Sequence, residues 1–129
     1  MGEAVVKLND VWKVFGERAD EAMSAIKSEG IGKPEVLSRY QCVVGVQGAT
    51  FEVARGEIFC IMGLSGSGKS TLVRHVNRLI EPTSGTIEIL GRDVSAVSAA
   101  ELRRIRAEQI GMVFQHHSLM PHRSVRDNV

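Results

Sequence analysis

A glycine- and serine-rich segment, GLSGSGKST, occupies residues 63–71 between two apolar runs. Four of its residues keep the spacing of the pattern G-x-x-x-x-G-K-[ST], namely Gly63, Gly68, Lys69 and Ser70. In such a loop, successive backbone N–H groups point inward at phosphate oxygens. Glycine is favoured because side chains would block that approach and because some positions need a positive φ. The segment therefore predicts a phosphate-binding loop.

The side chains at the end of the segment supply what the backbone cannot. Lys69 would bring a mobile positive charge to the outer phosphates, Ser70 would offer a hydroxyl to Mg²⁺, and Thr71 would bond an inner phosphate. The other interpretation is a glycine-rich turn without a ligand. The predicted nucleotide-binding residues of this loop are Gly63, Ser65, Gly66, Ser67, Gly68, Lys69, Ser70 and Thr71.

The flanking elements decide between the two interpretations. The run EIFCIM, residues 57–62, is apolar on both faces and predicts a buried strand inside a parallel sheet. Residues 69–80 carry an apolar face at helical spacing and predict a helix. A helix that begins at the loop adds free N–H groups and the positive end of its dipole. A strand, the loop and a helix in this order favour phosphate binding.

The remaining elements alternate between strand and helix. Apolar alternation and turn residues predict strands over residues 3–15 and 43–54, at TIEIL and at IGMVF, the last of these buried. Helices are expected at 17–29, at 34–37 and at 98–109, where Ser98 is a plausible N-cap with Glu101 three residues on. The fold class is α/β with an antiparallel portion near the N-terminus.

Composition limits the partners. The chain has 129 residues and a net charge of +1, which argues against a broad nucleic-acid surface. Cys42 and Cys60 have no metal-like spacing, and we interpret both as reduced, structural cysteines of a cytosolic protein. The longest apolar run in the second half covers residues 58–62, far short of the roughly 20 residues that span a membrane. A membrane role would have to come through a partner.

The loop by itself does not specify the class of nucleotide-binding protein. The motifs D-x-x-G and N-K-x-D, which a small GTPase would need, are absent from the sequence. No apolar run ends in an aspartate, so the usual second Mg²⁺ ligand is absent as well. A small P-loop kinase of about this length remains an alternative.

Longer stretches carry a more specific resemblance. GEIFCIMGLSGSGKSTLVRHVNRLIEPTSGTIEILGRDV, followed by IGMVFQHHSLMPHRSVRDNV, resembles the ATP-binding subunit of an ABC transporter. IMGLSGSGKST, NRLIEPTSG and the insertion after WKVFG are similar to importers of glycine betaine, proline, choline and related quaternary amines. The resemblance covers nearly the whole chain. It is strongest from residue 56 onward and weakest over residues 17–50.

The resemblance implies an architecture. Residues 1–129 would be the N-terminal part of one ABC-type nucleotide-binding domain with a P-loop NTPase core, a helical insertion at 17–45, and an end shortly after the Q-loop, before the helical subdomain. Gln115 would be the Q-loop glutamine that reaches Mg²⁺ and the attacking water. Phe15, where the family often has tyrosine, would stack on adenine. Trp12 competes for that role, but it lies three residues away on a strand and faces the other side.

The resemblance also implies an activity. The complete protein would bind ATP and Mg²⁺ as one of two identical ATPase subunits, on permease subunits at the cytoplasmic face of the membrane, with a separate substrate-binding protein and no nucleic acid. The family's LSGGQ-like signature, its aspartate–glutamate pair and its switch histidine are absent from these 129 residues. We therefore expect little hydrolysis from this chain alone. The alternative is a nucleotide-binding module that does not hydrolyse.

Two clusters invite other functions. The segment HHSLMPH contains three histidines that could suggest a metal site: His116, His117 and His122. Adjacent histidines on an extended segment point apart, however, so they do not converge on one ion. The resemblance implies instead that this segment is a loop that docks on the permease. Three arginines on the helix over 98–109 could suggest an anion or RNA patch, but Glu101 and Glu108 balance them as a solvated face: Arg103, Arg104 and Arg106. His75 is expected to be a surface residue or a satisfied core residue.

Overall fold

One antiparallel sheet of four strands organises the chain. The computed structural model describes residues 3–63, 66–113 and 121–128. The strands are β1 (Ala4–Phe15), β2 (Val43–Ala54), β3 (Ser84–Ile89) and β4 (Arg92–Asp93), in the order β2-β1-β3-β4. The helices are α1 (Ala19–Glu29), α2 (Lys33–Tyr40), α3 (Lys69–Val76), α4 (Ala99–Gln109) and α5 (Val125–Asn128). The predicted α/β class and its antiparallel N-terminal portion are confirmed.

The central strand, β1, pairs with β2 on one side and β3 on the other. Leu8 faces Phe51 of β2 and Ile87 of β3. An irregularity follows at Asp10, whose φ is +46°, and the ladder to both neighbours shifts there. The shift turns Val11 inward together with Leu8, although strict alternation would put them on opposite faces.

The main core lies between this sheet and helices α3 and α4. Its buried members are Leu8, Val11, Val46, Ile87, Ile89, Val94 and Ile105. Leu72 and Val76 of α3 pack against that cluster, which fixes the helix to the sheet. The residues before α3 are therefore positioned by the core.

A second core joins α1 and α2 to the ends of β1 and β2. It consists of Val14, Ala22, Met23, Ile26, Val36, Cys42 and Val44. Lys27 of α1 also donates a 2.6 Å hydrogen bond to Ser84 of β3. Both helices end at left-handed residues, Gly30 and Gln41. The helices predicted within residues 17–45 are present, and the second continues to Tyr40, beyond the predicted end at residue 37.

Helix α3 is shorter than the predicted helix over residues 69–80. It ends at Val76, and Arg78 adopts a φ of +55°. Arg106 of α4 caps this end by donating hydrogen bonds to the carbonyl oxygens of Asn77 at 2.8 Å and Arg78 at 2.7 Å. The interpretation of the α4 arginines as a solvated face fits Arg104, which is exposed and lies 3.6 Å from Glu108. It is wrong for Arg106, because carbonyls at a helix C-terminus need donors.

Two predicted strands are absent from the described residues. Residues 57–63 and 110–113 have no regular structure, and Ile58, Met62 and Val113 are 90%, 88% and 97% exposed. A strand inside a parallel sheet needs a hydrogen-bonded neighbour on each side and cover on both faces. Within the described ranges no strand pairs with these runs, and only Phe59 finds a stacking partner, Phe51, at 4.8 Å between ring centroids.

Other local predictions have mixed outcomes. TIEIL forms most of β3, with Ile87 and Ile89 buried as the alternation predicts. Ser98 caps α4 by accepting a 3.2 Å hydrogen bond from the Glu101 amide. Of the two cysteines, Cys42 is buried but Cys60 is exposed, so the prediction of a structural role fails for Cys60, because the run that carries it is uncovered. Among the described residues no helix is both long and apolar enough to cross a membrane.

Candidate functional site

The phosphate-binding pattern lies where the chain enters α3. Gly66 and Gly68 have φ values of +81° and +94°, the left-handed region that the predicted loop requires. Gly68 is the N-cap of α3 and has no side chain to satisfy the first amides of the helix. A helix N-terminus without a side-chain cap suits an anion, because its amides and the positive end of its dipole favour negative charge. Ser65, which the sequence also assigns to the loop, lies outside the described residues.

The lysine of the pattern ties the two ends of the loop together. The Lys69 ammonium donates a 2.6 Å hydrogen bond to the carbonyl oxygen of Gly63. A Cβ at Gly63 would lie 2.5 Å from the Ser67 hydroxyl, so a side chain at this position would force Ser67 to move. The positive charge is thereby held over the loop.

A pair of glycines brings the loop against strand β2. A Cβ at Gly68 would lie 2.7 Å from the carbonyl oxygen of Gly45. A Cβ at Gly45 would lie 2.5 Å from the ring of Phe15. Because neither glycine has a side chain, the loop, the β2 backbone and an aromatic ring are layered side by side.

These groups line one cavity of about 610 Å³, a size in the range of small-molecule sites. Its walls come from β1, α2, β2 and the loop with the first turn of α3: Phe15, Lys33, Val43, Val44, Gly45, Gly66, Ser67, Gly68, Lys69, Ser70 and Thr71. No acidic side chain belongs to this described lining, which carries two lysines. The cavity therefore suits an anion with an apolar, planar part.

Of the two aromatic residues considered for stacking, only Phe15 lies on this cavity. Phe15 is 41% exposed, and the Lys13 ammonium lies 5.3 Å from the centroid of its ring. The Trp12 indole instead donates a 2.9 Å hydrogen bond to Asp10 and packs against the second core. The two side chains take separate environments, as their spacing on a strand predicts.

One titratable group lies beneath the loop, in the body of α3. His75 is fully buried, and its Nδ1 lies 2.7 Å from the carbonyl oxygen of Thr71. Since a carbonyl only accepts, Nδ1 carries the hydrogen. Burial lowers the pKa of His75 and the positive charge of Lys13 lowers it further, against the opposing effect of the bond to Thr71. His75 is therefore a neutral core residue. The predicted satisfied core residue is only partly correct, because Nε2 is buried with no hydrogen-bond partner among the described residues.

The predicted metal ligands are only partly described. Ser70 is exposed on the first turn of α3, beside Lys69 on the cavity wall. Mg²⁺ takes six oxygens, and one serine hydroxyl beside phosphate oxygens and water fits that demand. Gln115 lies outside the described residues, as do His116 and His117, whereas His122 is exposed.

Sequence reasoning missed four of the lining residues. They come from segments at least 18 residues before the loop, and no motif links them to it: Lys33, Val43, Val44 and Gly45. Only Lys33 had a signal in the sequence. Pro34 indicates that a helix begins there, and a lysine at the N-terminus of a helix is electrostatically unfavourable.

The ABC transporter family profile matches residues 46–128, which is more than half of the chain. The chain belongs to the ABC transporter family. It is 47% identical over 123 residues to the glycine betaine/proline betaine transport ATP-binding protein ProV of Escherichia coli, covering 95% of this chain and 30% of ProV. It is 51% identical over 92 residues to the methionine import ATP-binding protein MetN of Desulfitobacterium hafniense, covering 71% of this chain and 27% of MetN.

A solved ABC cassette has the same fold. The dimeric ATP-binding cassette MJ0796, in a post-hydrolysis state with ADP and Pi, superposes with a TM-score of 0.74 at 29% identity, over 96% of this chain and 44% of that chain. The ABC-type α/β fold and the resemblance to the betaine group are thereby confirmed. The chain spans about a third of the length of the curated relatives that it matches.

Proposed function

We propose that this cavity binds ATP with Mg²⁺, with the phosphates on the loop and the adenine on Phe15. The supporting observation is that the loop glycines, the start of α3 and the aromatic ring line one cavity of about 610 Å³. The phosphates of a nucleotide would match the polar wall formed by the loop, and its planar base would match the apolar wall that contains Phe15.

The phosphate end would be built mainly from backbone. The amides of the loop and of the first turn of α3 would donate to phosphate oxygens, and Lys69 would leave the Gly63 carbonyl for an outer phosphate. Thr71 would bond an inner phosphate, and Ser70 would hold Mg²⁺ together with Gln115. Mg²⁺ would neutralise the charge that accumulates on the outer phosphates during transfer. Gln115 would also orient the attacking water.

The adenine end would be apolar. Phe15 provides the π face that stacking requires, and the hydroxyl that a tyrosine would add is not needed for stacking. Val43, which is 57% exposed, lines the same cavity and would cover the edge of the base. The Lys13 ammonium lies 5.3 Å from the centroid of the Phe15 ring, and Lys13 is not among the residues that line the cavity.

The complete protein would hydrolyse ATP to drive uptake of a quaternary amine through permease subunits at the cytoplasmic face of the membrane. It would act as a dimer of ATPase subunits with a separate substrate-binding protein. The match to ProV supports a betaine-type substrate over methionine, because it extends over 95% of this chain whereas the match to MetN extends over 71%. The residues absent from this sequence, such as the LSGGQ-like signature, would be needed for turnover.

Calorimetric titration of the purified protein with ATP and Mg²⁺ tests the binding. Lys69→Ala should abolish measurable affinity. Lys7→Ala, which removes an equal charge from an exposed ion pair with Glu52, should leave affinity unchanged. Unchanged affinity in Lys69→Ala would overturn the phosphate assignment. If the complete protein bound ATP but did not hydrolyse it, the result would favour the alternative function, a nucleotide-binding module that does not hydrolyse.

The substrate is tested with the permease and substrate-binding protein in vesicles. ATP-driven uptake of glycine betaine is expected, and uptake of methionine instead would reverse the choice between the two groups of relatives.

A further inference from the structure

The nucleotide cavity has a second lysine, which comes from the insertion and not from the loop. Lys33 is the first residue of α2, in the segment between β1 and β2. It lines the cavity of about 610 Å³ together with the loop. We propose that Lys33 is a second phosphate-binding residue, through which the insertion takes part in nucleotide binding. This inference rests on the proposed function.

Lys33 belongs to the phosphate end of the cavity. A neighbouring cavity of about 270 Å³ shares five lining residues with the first: Lys33, Gly45, Ser67, Gly68 and Lys69. Phe15 and Val43, at the adenine end, line only the larger one. Lys33 therefore lines both cavities together with the loop residues Ser67, Gly68 and Lys69.

Nothing in the described structure neutralises Lys33. Its side chain is exposed, and within the described residues it has no ion pair or hydrogen bond. The described cavity lining contains no acidic side chain that could compensate two lysines. A second cation beside a lining without acidic side chains increases the attraction of the cavity for a polyanion.

The position of Lys33 is unfavourable for the helix that carries it. The N-terminus of a helix has a partial positive charge, so a lysine at its first position is disfavoured. The N-cap of α2 is Gly32, which provides no side-chain acceptor. Local conflicts of this kind are expected where a residue serves binding.

The insertion can transmit that contact to the sheet. Val36 of α2 is fully buried in the second core, with Val14 of β1 and Val44 of β2. Lys33 is therefore held on a rigid element, three residues from a core anchor. Binding of a phosphate to Lys33 would stabilise the docked position of the insertion.

The test compares Lys33→Gln with wild type by calorimetry in the purified protein, with ATP, inorganic tripolyphosphate and adenosine as ligands. We expect affinity for ATP and for tripolyphosphate to fall about three- to tenfold, since an exposed charge pair has a modest effect. Affinity for adenosine should be unchanged. Lys33→Arg should restore most of the ATP affinity.

Lys7→Gln is the matched control, because it removes the same charge from an exposed pair with Glu52 outside the lining of either cavity. If Lys7→Gln lost as much ATP affinity as Lys33→Gln, the change in net charge alone would explain the loss. That result would overturn the inference. Wild-type affinity in Lys33→Gln, with affinity lost in Lys69→Ala, would overturn the role of Lys33 alone. A wild-type protein that binds no ATP would overturn the proposed function as well.

Discussion

Gly68 at the start of α3 lies directly against the backbone of Gly45 in β2, with room for no Cβ between them. A Cβ at Gly68 would be 2.7 Å from the Gly45 carbonyl oxygen, and Gly45 in turn supports the ring of Phe15. The sheet therefore sets the distance between the phosphate loop and the aromatic ring. That distance is the one a nucleotide would have to span.

Gly68→Ala should lose nucleotide affinity and stability together. The φ of +94° is strained for any L side chain, and the contact with backbone at 2.7 Å cannot be relieved by a rotamer change. We expect a loss of about 1–3 kcal/mol in the free energy of unfolding. Urea denaturation and ATP titration of the same preparation would measure both effects.

Gly91→Ala is the matched control for backbone strain. Gly91 has a φ of +79°, but nothing lies within 4 Å of its Cβ position. This variant should lose stability through strain alone and keep its ATP affinity. Equal loss of affinity in the two variants would show that the approach to Gly45 is irrelevant to binding.

Gly45→Ala should separate the two ends of the cavity. Its Cβ would displace the Phe15 ring, from which it would lie only 2.5 Å away. Base stacking on an aromatic side chain contributes about 1–3 kcal/mol, so we expect ATP affinity to fall about tenfold or more. Affinity for inorganic tripolyphosphate should change little, because it has no base to stack.

Phe15→Leu should reproduce that pattern, and Trp12→Phe should not. The Trp12 indole donates a hydrogen bond to Asp10 and packs against the second core, and Trp12 does not line the cavity. A larger loss of ATP affinity in Trp12→Phe than in Phe15→Leu would move the adenine site to Trp12.

The loop has a local signal in the sequence, a fixed pattern of glycine, lysine and serine. The role of Phe15 stays a prediction from the resemblance to the ABC family, because a place at the end of a strand does not by itself indicate stacking. Lys33 and Gly45 carry no such signal, since their role arises from the tertiary approach of α2 and β2 to the loop. Local patterns do not report that approach.

The strands predicted at the two apolar runs were wrong because strand formation depends on more than the composition of the run. Residues 57–62 have the composition of an interior strand, but composition gives only the propensity to be buried. A strand forms when partners supply hydrogen bonds on its edges, and the described chain supplies none to this run. Burial of Ile58 and Met62 is therefore a property of neighbours that the run itself does not encode.

Arg106 should contribute to stability more than the other arginines of α4. Its guanidinium donates to two carbonyl oxygens at the end of α3, at 2.8 Å and 2.7 Å. Arg106→Gln should reduce the free energy of unfolding by about 1–3 kcal/mol, because both acceptors would lose a charged donor. Arg104→Gln, which removes an exposed pair with Glu108, should cost about 0.5 kcal/mol or less. Equal urea midpoints for the two variants would contradict the capping role.

His75 should make the protein less stable in mild acid. Burial lowers its pKa in the folded state, so the unfolded chain binds the proton more tightly. Its contribution is complete above the unfolded pKa of about 6.5 and is lost as the pH falls toward the folded value. Urea denaturation at pH 7.5 and pH 5.5 should show this loss in wild type and a smaller one in His75→Asn, whose amide can still donate to Thr71. An equal pH dependence in both proteins would mean that His75 does not titrate on unfolding.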